Sequence, residues 1–518
     1  MGACSAADLP LYRMRRICTD SEDLAMRRSL IAGLLAAGLI AVPAAAHAQP
    51  KGKKPPNVLY IMSDDHASAA IGSYGSWLGK YARTPRLDRL AKQGMGFTNC
   101  CVTNSICTPC RAAILTGQYS HKNGVYTLND ALDPTRRHLA HWLRAAGYQT
   151  AIIGKWHLQT DPTGFDYWAI LPGQGVYHDP KLRVIGAKPK EFTEFKGGYS
   201  EDVITDLSID WLKKRDKDKP FVLFCHFKAP HRPWDPAKRF ADQFKDDKIP
   251  EPPTLQDDLK SSARAVRDIR MVIGRDMVDR DLERKIPRDL PPDQLRAWAY
   301  QYYMKRYLAC VAAVDENVGR LLDFLDREGL TEDTIVIYTS DQGFFLGEHG
   351  FFDKRLIYEP SLTTPLIIRY PGVVRPGSVC NDLVLNIDHA PTFLNIAGVE
   401  IPKEVQGRSY KSLLEGKTPP GWPRSMYYRY WMHLDGSHNV PAHYGVRTDR
   451  YTLAYYYGKA LNMKGSKNIE LEPEWELFDR LKDPQMLRNV YSDPGYAETV
   501  RELRAELDRL RKHYGDER

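Results

Sequence analysis

No strong excess of one charge marks this chain. Its 73 Lys and Arg stand against 65 Asp and Glu, a net +8 over 518 residues, spread along the sequence apart from Lys51, Lys53 and Lys54. A mild basic balance helps to attract anionic substrates, but with no nucleic-acid-binding motif it does not describe a nucleic-acid binder. Internal repeats, collagen-like repetition and coiled-coil heptads are absent, as is the compositional bias of a disordered chain. There is also no clean apolar run of the ~20 residues that a membrane helix needs. What is present is a globular composition, 43% hydrophobic and 27% charged. The length exceeds one minimal core and predicts one large domain with a smaller one beside it.

The N-terminus reads as an export signal. Met26-Arg27-Arg28 opens an apolar stretch from Leu30 to about Ala45, interrupted by Pro43, and Ala46-His47-Ala48 supplies an A-x-A cleavage site. Residues 1–25 precede this natural start at Met26, so 1–48 form a leader and the mature chain begins near Gln49, in the periplasm or outside the cell. Arg27-Arg28 suits either general or twin-arginine export. Losing 1–48 removes Cys4 and Cys18 and leaves Cys100, Cys101, Cys107, Cys110, Cys225, Cys310 and Cys380. An odd number in an oxidising compartment flags one cysteine with a separate task.

Apolar β-rich runs alternate with helical stretches, which predicts an α/β domain on a large, mostly parallel sheet flanked by helices. Val58–Met62, Ala151–Ile153, Phe221–Phe224 and Thr334–Tyr338 are strands of the buried type, apolar on both faces. Tyr303, Tyr307, Val314, Val318, Leu322 and Leu325 keep helical spacing, with Gly329 where the helix stops. Residues 237–300 are dense in charge and proline and read as a surface insertion of short helices and loops. The turn-rich stretch Ser409–Pro423 divides a domain at 49–420 from a small α+β domain at 421–518.

Each of the four strands ends in polar residues: Ser63-Asp64-Asp65, Gly154-Lys155-Trp156-His157, Pro230-His231-Arg232 and Ser340-Asp341-Gln342. Ligands of open α/β sheets bind beyond the carboxyl ends of the strands, so these clusters converge on one rim. Asp64, Asp65 and Asp341 would repel one another unless a cation lay between them. With the Gln342 amide they form a hard-oxygen set that suits Ca2+ or Mg2+ better than Zn2+. For a lone Asp, capping of the following helix would be the better reading. Lys155, His157, His231 and Lys354 would surround a small anion beside the metal and move protons at its leaving group.

The run Cys107-Thr108-Pro109-Cys110-Arg111, continuing to Leu115-Thr116-Gly117, contains a bare C-x-x-C, open in itself to a redox dithiol or half of a zinc site. No second cysteine pair completes a zinc site, and the surrounding domain is the wrong size for thioredoxin-like chemistry. The run resembles the C-x-P-S-R or C-x-P-A-R motif of type I sulfatases in the alkaline-phosphatase-like superfamily, with T-G following at Thr116-Gly117. The resemblance continues through Gly154-Lys155-Trp156-His157, Ala229-Pro230-His231, Thr339-Ser340-Asp341 and Asp353-Lys354-Arg355, and covers about Asn57 to Leu477-Phe478-Asp479. Cys110 departs from the usual Ser or Ala, and Gln342 from a common Asn.

The resemblance implies that a maturation enzyme oxidises Cys107 to formylglycine, whose hydrate attacks sulfur, releases the alcohol and then expels sulfate. It further implies that Asp64, Asp65, Asp341, Gln342 and modified Cys107 hold one Ca2+, and that Arg111 steadies the hydrate. Lys155, Lys354 and His231 contact sulfate, His157 is the base, and His231 is the acid, helped by Asp341. The expected substrate is an organic sulfate ester, a sulfated sugar by similarity to bacterial glycan sulfatases. Arg232, Trp234 and the stretch His433–Tyr444 are candidates for contacting it. The alternatives are a phosphonate monoester or phosphodiester hydrolase of the same superfamily and, more remotely, a glycan-binding pseudoenzyme.

Overall fold

The four apolar runs become neighbouring strands. The computed structural model describes residues 54–188 and 190–518, so the leader lies outside the described residues. A ten-stranded sheet contains β1 (Asn57–Ser63), β2 (Met95–Phe97), β3 (Gln149–Lys155), β4 (Tyr167–Leu171), β5 (Lys181–Val184), β6 (Thr193–Glu194), β7 (Phe221–His226), β8 (Thr334–Ser340), β9 (Leu366–Arg369) and β10 (Ser378–Cys380), in the spatial order β10-β2-β9-β8-β1-β7-β3-β4-β5-β6. The central five, β8-β1-β7-β3-β4, are parallel, and antiparallel pairings begin at β9 on one side and β5 on the other.

Alternate residues of each central strand feed two different cores. Leu59, Ile61, Ile153, Leu223, Val336 and Tyr338 pack on one face with helices α3 (Ser200–Lys214) and α4 (Pro292–Arg327). Val58, Tyr60, Met62, Ile152, Phe224 and Ile337 pack on the other with helix α2 (Cys107–Thr116) and helix α5 (His389–Ile396). Helix α1 (Pro85–Gln93) lies alongside α4. Burial on both faces explains why these strands are apolar throughout. The helix predicted through Tyr303 and Leu325 ends at Arg327, two residues before left-handed Gly329.

Every residue of α2 is buried. It ends at Gly117, whose φ is +66° and where a Cβ would come within 2.8 Å of Val405, so the T-G of the motif terminates the helix. Beyond α2, the Tyr119 ring packs tilted against that of Tyr514, 4.4 Å between centroids, and His121 Nε2 is 2.8 Å from the Tyr514 carbonyl. The C-terminal end of the chain thus closes over the segment that follows Cys107.

A four-stranded antiparallel sheet, β11 (Ser425–Tyr430), β12 (His443–Thr448), β13 (Tyr451–Tyr456) and β14 (Glu474–Asp479), with helix α6 (Ala497–Tyr514), forms the smaller C-terminal unit. Its apolar side shares a core with Ala113 of α2 and with Val266, Ile269 and Met271. Those last three belong to the stretch expected to be a surface insertion, which is a correction: 237–300 also buries Phe244, Ile249, Leu255, Ile273, Met277 and Leu282. Its charges sit between buried apolar anchors, and its last nine residues begin α4.

Glu476 joins these parts. Buried on β14, it accepts hydrogen bonds from the Ala263 N–H at 2.8 Å, Tyr456 Oη at 2.9 Å and Tyr358 Oη at 3.0 Å. Burial outweighs these donors and pushes its pKa up to about 7. A raised carboxyl pKa contributes stability below its unfolded value of 4.5 that is lost as pH rises through about 7. Glu476→Gln is therefore expected to match the wild type in urea unfolding at pH 4 and to exceed it at pH 8, by at most about 3 kcal/mol. Equal stability at pH 8 would show that the carboxylate is tolerated in its ionised form.

Candidate active site

Parallel pairing places Ser63 opposite Ser340, so Asp64-Asp65 and Asp341-Gln342 leave the sheet from matched strand ends. Lys155 closes β3, and Gly154 before it pairs with His226 of β7. Gly154 has φ +108°, and a Cβ there would lie 1.9 Å from the His226 carbonyl oxygen, which accounts for glycine at the head of the G-K-W-H run. Asp65, His157, Asp353 and Arg355 also hold left-handed φ between +54° and +93°. Such backbone strain in non-glycine residues gathers at functional sites.

The carboxylates of Asp64, Asp65 and Asp341 are fully buried, with one oxygen from each lying within 4.8 Å of the others. Three buried cations face them. Arg111 donates from Nε to Asp341 Oδ2 at 3.0 Å, with Nη2 at 2.9 Å from the same oxygen, and from Nη1 to the Lys155 carbonyl at 2.8 Å. Lys155 pairs with Asp64, and Lys354 grips both oxygens of Asp65 at 2.6 and 2.7 Å. Burial pushes the Asp64 carboxyl up, but the cations around it, Lys155 first and Arg111 and Lys354 with it, hold it well below the usual range. Asp341 goes the other way: burial and then Asp64 raise it to about 7 despite Arg111. Burial would lower Lys354, but Asp65, together with Asp353 and Asp64, raises it.

These residues fit a hard cation. Gln342 donates from Nε2 to Asp65, which leaves its Oε1 buried with no hydrogen-bond partner. An orphaned amide oxygen beside three crowded carboxylates is a hard-donor set suited to Ca2+ or Mg2+.

Cys107, the first residue of α2, lies against this cluster, its Sγ 3.5 Å from Asp64 Oδ1, 3.7 Å from Gln342 Nε2 and 4.0 Å from Lys155 Nζ. Burial raises the thiol pKa to about 12 against Lys155 and Lys354, so as a thiol it stays protonated at neutral pH. His231 Nδ1 donates to the Arg232 carbonyl at 2.5 Å, which turns Nε2 into the cleft, 3.8 Å from Asp65 Oδ2. His157 Nδ1 is 3.5 Å from Thr108 Oγ1. Burial, and then Lys155, hold both imidazoles neutral. The structure thus brings together Asp64, Asp65, Cys107, Arg111, Lys155, His157, His231, Asp341, Gln342 and Lys354. Cys110 is a free thiol; it donates to the Asp341 carbonyl and accepts from Asn386 Nδ2 at 3.0 Å.

The family model described as Sulfatase matches residues 56–399, and that of the N-sulphoglucosamine sulphohydrolase C-terminal region matches 347–513. This chain belongs to the sulfatase family. It is a sulfuric ester hydrolase. It is 39% identical to an N-acetylglucosamine-6-O-sulfatase of Bacteroides thetaiotaomicron, covering 93% of this chain and 91% of that one. A solved structure described as a complex with its substrate D-glucosamine-2-N,6-O-disulfate superposes with a TM-score of 0.81 at 38% identity, covering 90% of this chain and 99% of the other. A phosphonate monoester hydrolase of Agrobacterium radiobacter shares the fold, with a TM-score of 0.69 at 21% identity over 89% of this chain and 96% of its own.

One expected contact of the sulfatase is overturned. Trp234 is fully buried, 4.4 Å from the Tyr303 ring and 6.4 Å from that of Phe344, and packs the core. Arg232, by contrast, pairs with Asp281 and approaches Asp353 at 3.8 Å, while His438 bridges Asp353 at 3.1 Å and Asp435 at 2.9 Å. Sequence reasoning marked the stretch around His438 without seeing this network, because its members lie far apart in the chain.

Two further residues went unnoticed. Lys228 is buried with its ammonium 4.5 Å from the Tyr177 ring centroid, and burial, then Lys155, lower its pKa to about 8. Its position three residues before His231 was the available signal. Gln174, whose Oε1 is 2.5 Å from Lys155 Nζ, sits in a turn and carried none.

Proposed function

We propose that this sulfatase is exported and hydrolyses a 6-O-sulfate ester on a glucosamine-type sugar, with formylglycine made from Cys107 and one Ca2+. The observation that supports the sugar is the 39% identity along 93% of the chain to an N-acetylglucosamine-6-O-sulfatase. Support for the chemistry comes from the buried cluster around Cys107, which holds every charge type a sulfuryl transfer uses.

Asp64, Asp65, Asp341 and Gln342, with the modified residue 107, would hold Ca2+, which supplies a Lewis acid for the sulfate oxygens. Formylglycine supplies, as its hydrate, a hydroxyl nucleophile in place of a thiol that burial keeps protonated. Lys155 and Lys354 bind sulfate oxygens and offset their charge. Arg111, fixed by Asp341 and the Lys155 carbonyl, steadies the hydrate. His231 presents Nε2 to the leaving oxygen. Burial, and then Lys155, keep this imidazole neutral; an anion bound between the two lysines offsets the second effect, so His231 takes up its proton from solvent as the substrate binds. His157 takes the proton of the second hydroxyl when sulfate is expelled. A maturation enzyme must supply the oxidation of Cys107.

The two lysines and two histidines treat every sulfate alike, so selectivity rests on groups around the alcohol, where hydrogen bonds to sugar hydroxyls discriminate best. Our candidates for that task are Arg232, next to His231, Asp353 and Arg355, on either side of Lys354, and His438, which pairs with Asp353. The purified enzyme is expected to give kcat/KM at least about tenfold higher on N-acetylglucosamine 6-sulfate than on an aryl sulfate. A higher value for the aryl ester would remove the sugar reading. Faster cleavage of the matched aryl phosphate would favour the phosphoester alternative.

A further inference from the structure

The His157 imidazole is a wall shared by two spaces. On one side lies the anion cleft; on the other is a groove of about 200 Å3 lined by Trp156, His157, Gln159, Pro172, Arg183 and Phe192, which the chemistry above does not use. The groove adjoins the cluster around Cys107 through its lining: His157 is 3.5 Å from Thr108, and Gly173 precedes Gln174, whose amide oxygen is 2.5 Å from Lys155 Nζ.

Three observations mark it as built for a ligand. Phe192, on the loop just before β6, is 40% exposed, an aromatic face left open to solvent. Arg183 of β5 is tethered by Asp161 and lies 5.8 Å from the Trp168 ring centroid, yet its Nε is buried without a hydrogen-bond partner. The loop that carries the wall is strained, with φ +54° at His157 and +63° at Gln159. An open aromatic face beside a fixed guanidinium and an amide suits a pyranose, whose C–H face packs on the ring while its hydroxyls meet the polar groups. The volume falls below the ~300 Å3 of a drug-sized pocket, so it admits one ring rather than a chain.

We infer that this groove is a subsite for the sugar next to the sulfated one, so that the enzyme prefers an oligosaccharide to a sulfated monosaccharide. The inference rests on the sulfated-sugar reading above. The test compares kcat/KM for glucosamine 6-sulfate alone and in disaccharides extended on either side. The wild type is expected to favour one disaccharide by about tenfold, and Phe192→Ala to bring that ratio toward one. Arg183→Gln, with folding checked by circular dichroism, serves as the second variant and should lower the same ratio. A wild-type ratio near one, or a ratio unchanged in both variants, overturns the subsite while leaving the sulfated-sugar reading intact. Failure of the wild type on every sugar, with aryl sulfate turned over, overturns both.

Discussion

Cys107→Ala is expected to lower turnover of a sulfated sugar by at least about 10,000-fold while the protein still folds. Cys107 presents its side chain to Asp64, Lys155 and Gln342 together, the position that the proposed mechanism gives to the nucleophile. Neutral His157 lies near a hydroxyl, Thr108 Oγ1 at 3.5 Å, so Thr108→Val is the necessary control and should keep most of the activity. Loss of one buried sulfur costs stability on the order of 1 kcal/mol, small enough for the variant to be purified and compared. Peptide mass spectrometry of the wild type should find an aldehyde oxygen where residue 107 would carry its thiol. Near-normal turnover by Cys107→Ala would end the formylglycine mechanism.

The next largest effect concerns Asp341. Its carboxyl is raised to about 7 by burial and then by Asp64, so even beside Arg111 it ionises at a cost at neutral pH. A divalent cation offsets that cost, so binding should stabilise the fold, by about 2.7 kcal/mol at a hundredfold excess over Kd. The wild type is expected to show a Ca2+-dependent rise in Tm that Asp341→Asn lacks, together with an activity loss of about 1,000-fold. The thermal readout is independent of turnover and so separates loss of the ion from loss of chemistry. Stoichiometric zinc on elemental analysis, with activity indifferent to the substitution, would refute the hard-cation site.

The residues of the site were legible because their signals are local. Asp64 and Asp341 follow strands recognisable from the apolar runs Val58–Met62 and Ile335–Tyr338, and parallel pairing then brings matched ends together. Lys155 ends β3, and His157 follows it two residues on. Side chains whose roles depend on contacts remote in sequence could not be read. His438 meets Asp353 across 85 positions, and Arg232 meets Asp281 across 49. Trp234 misled because an aromatic residue beside a functional histidine looks like a platform, whereas the Tyr303 ring on α4 takes it into the core. The stretch 237–300 misled because its density of charge hides widely spaced apolar anchors.

The burial of α2 has a consequence for the life history of the protein. A helix with no exposed residue, closed over by Tyr514 and the C-terminal strands, offers no surface to another enzyme after folding. On the proposed chemistry, Cys107 must therefore be converted while the chain is still open, in a race against the closure of its own C-terminus. A molecule that folds first keeps its thiol, and purified protein would then be a mixture of two permanent populations, one active and one silent, in proportions set during biosynthesis.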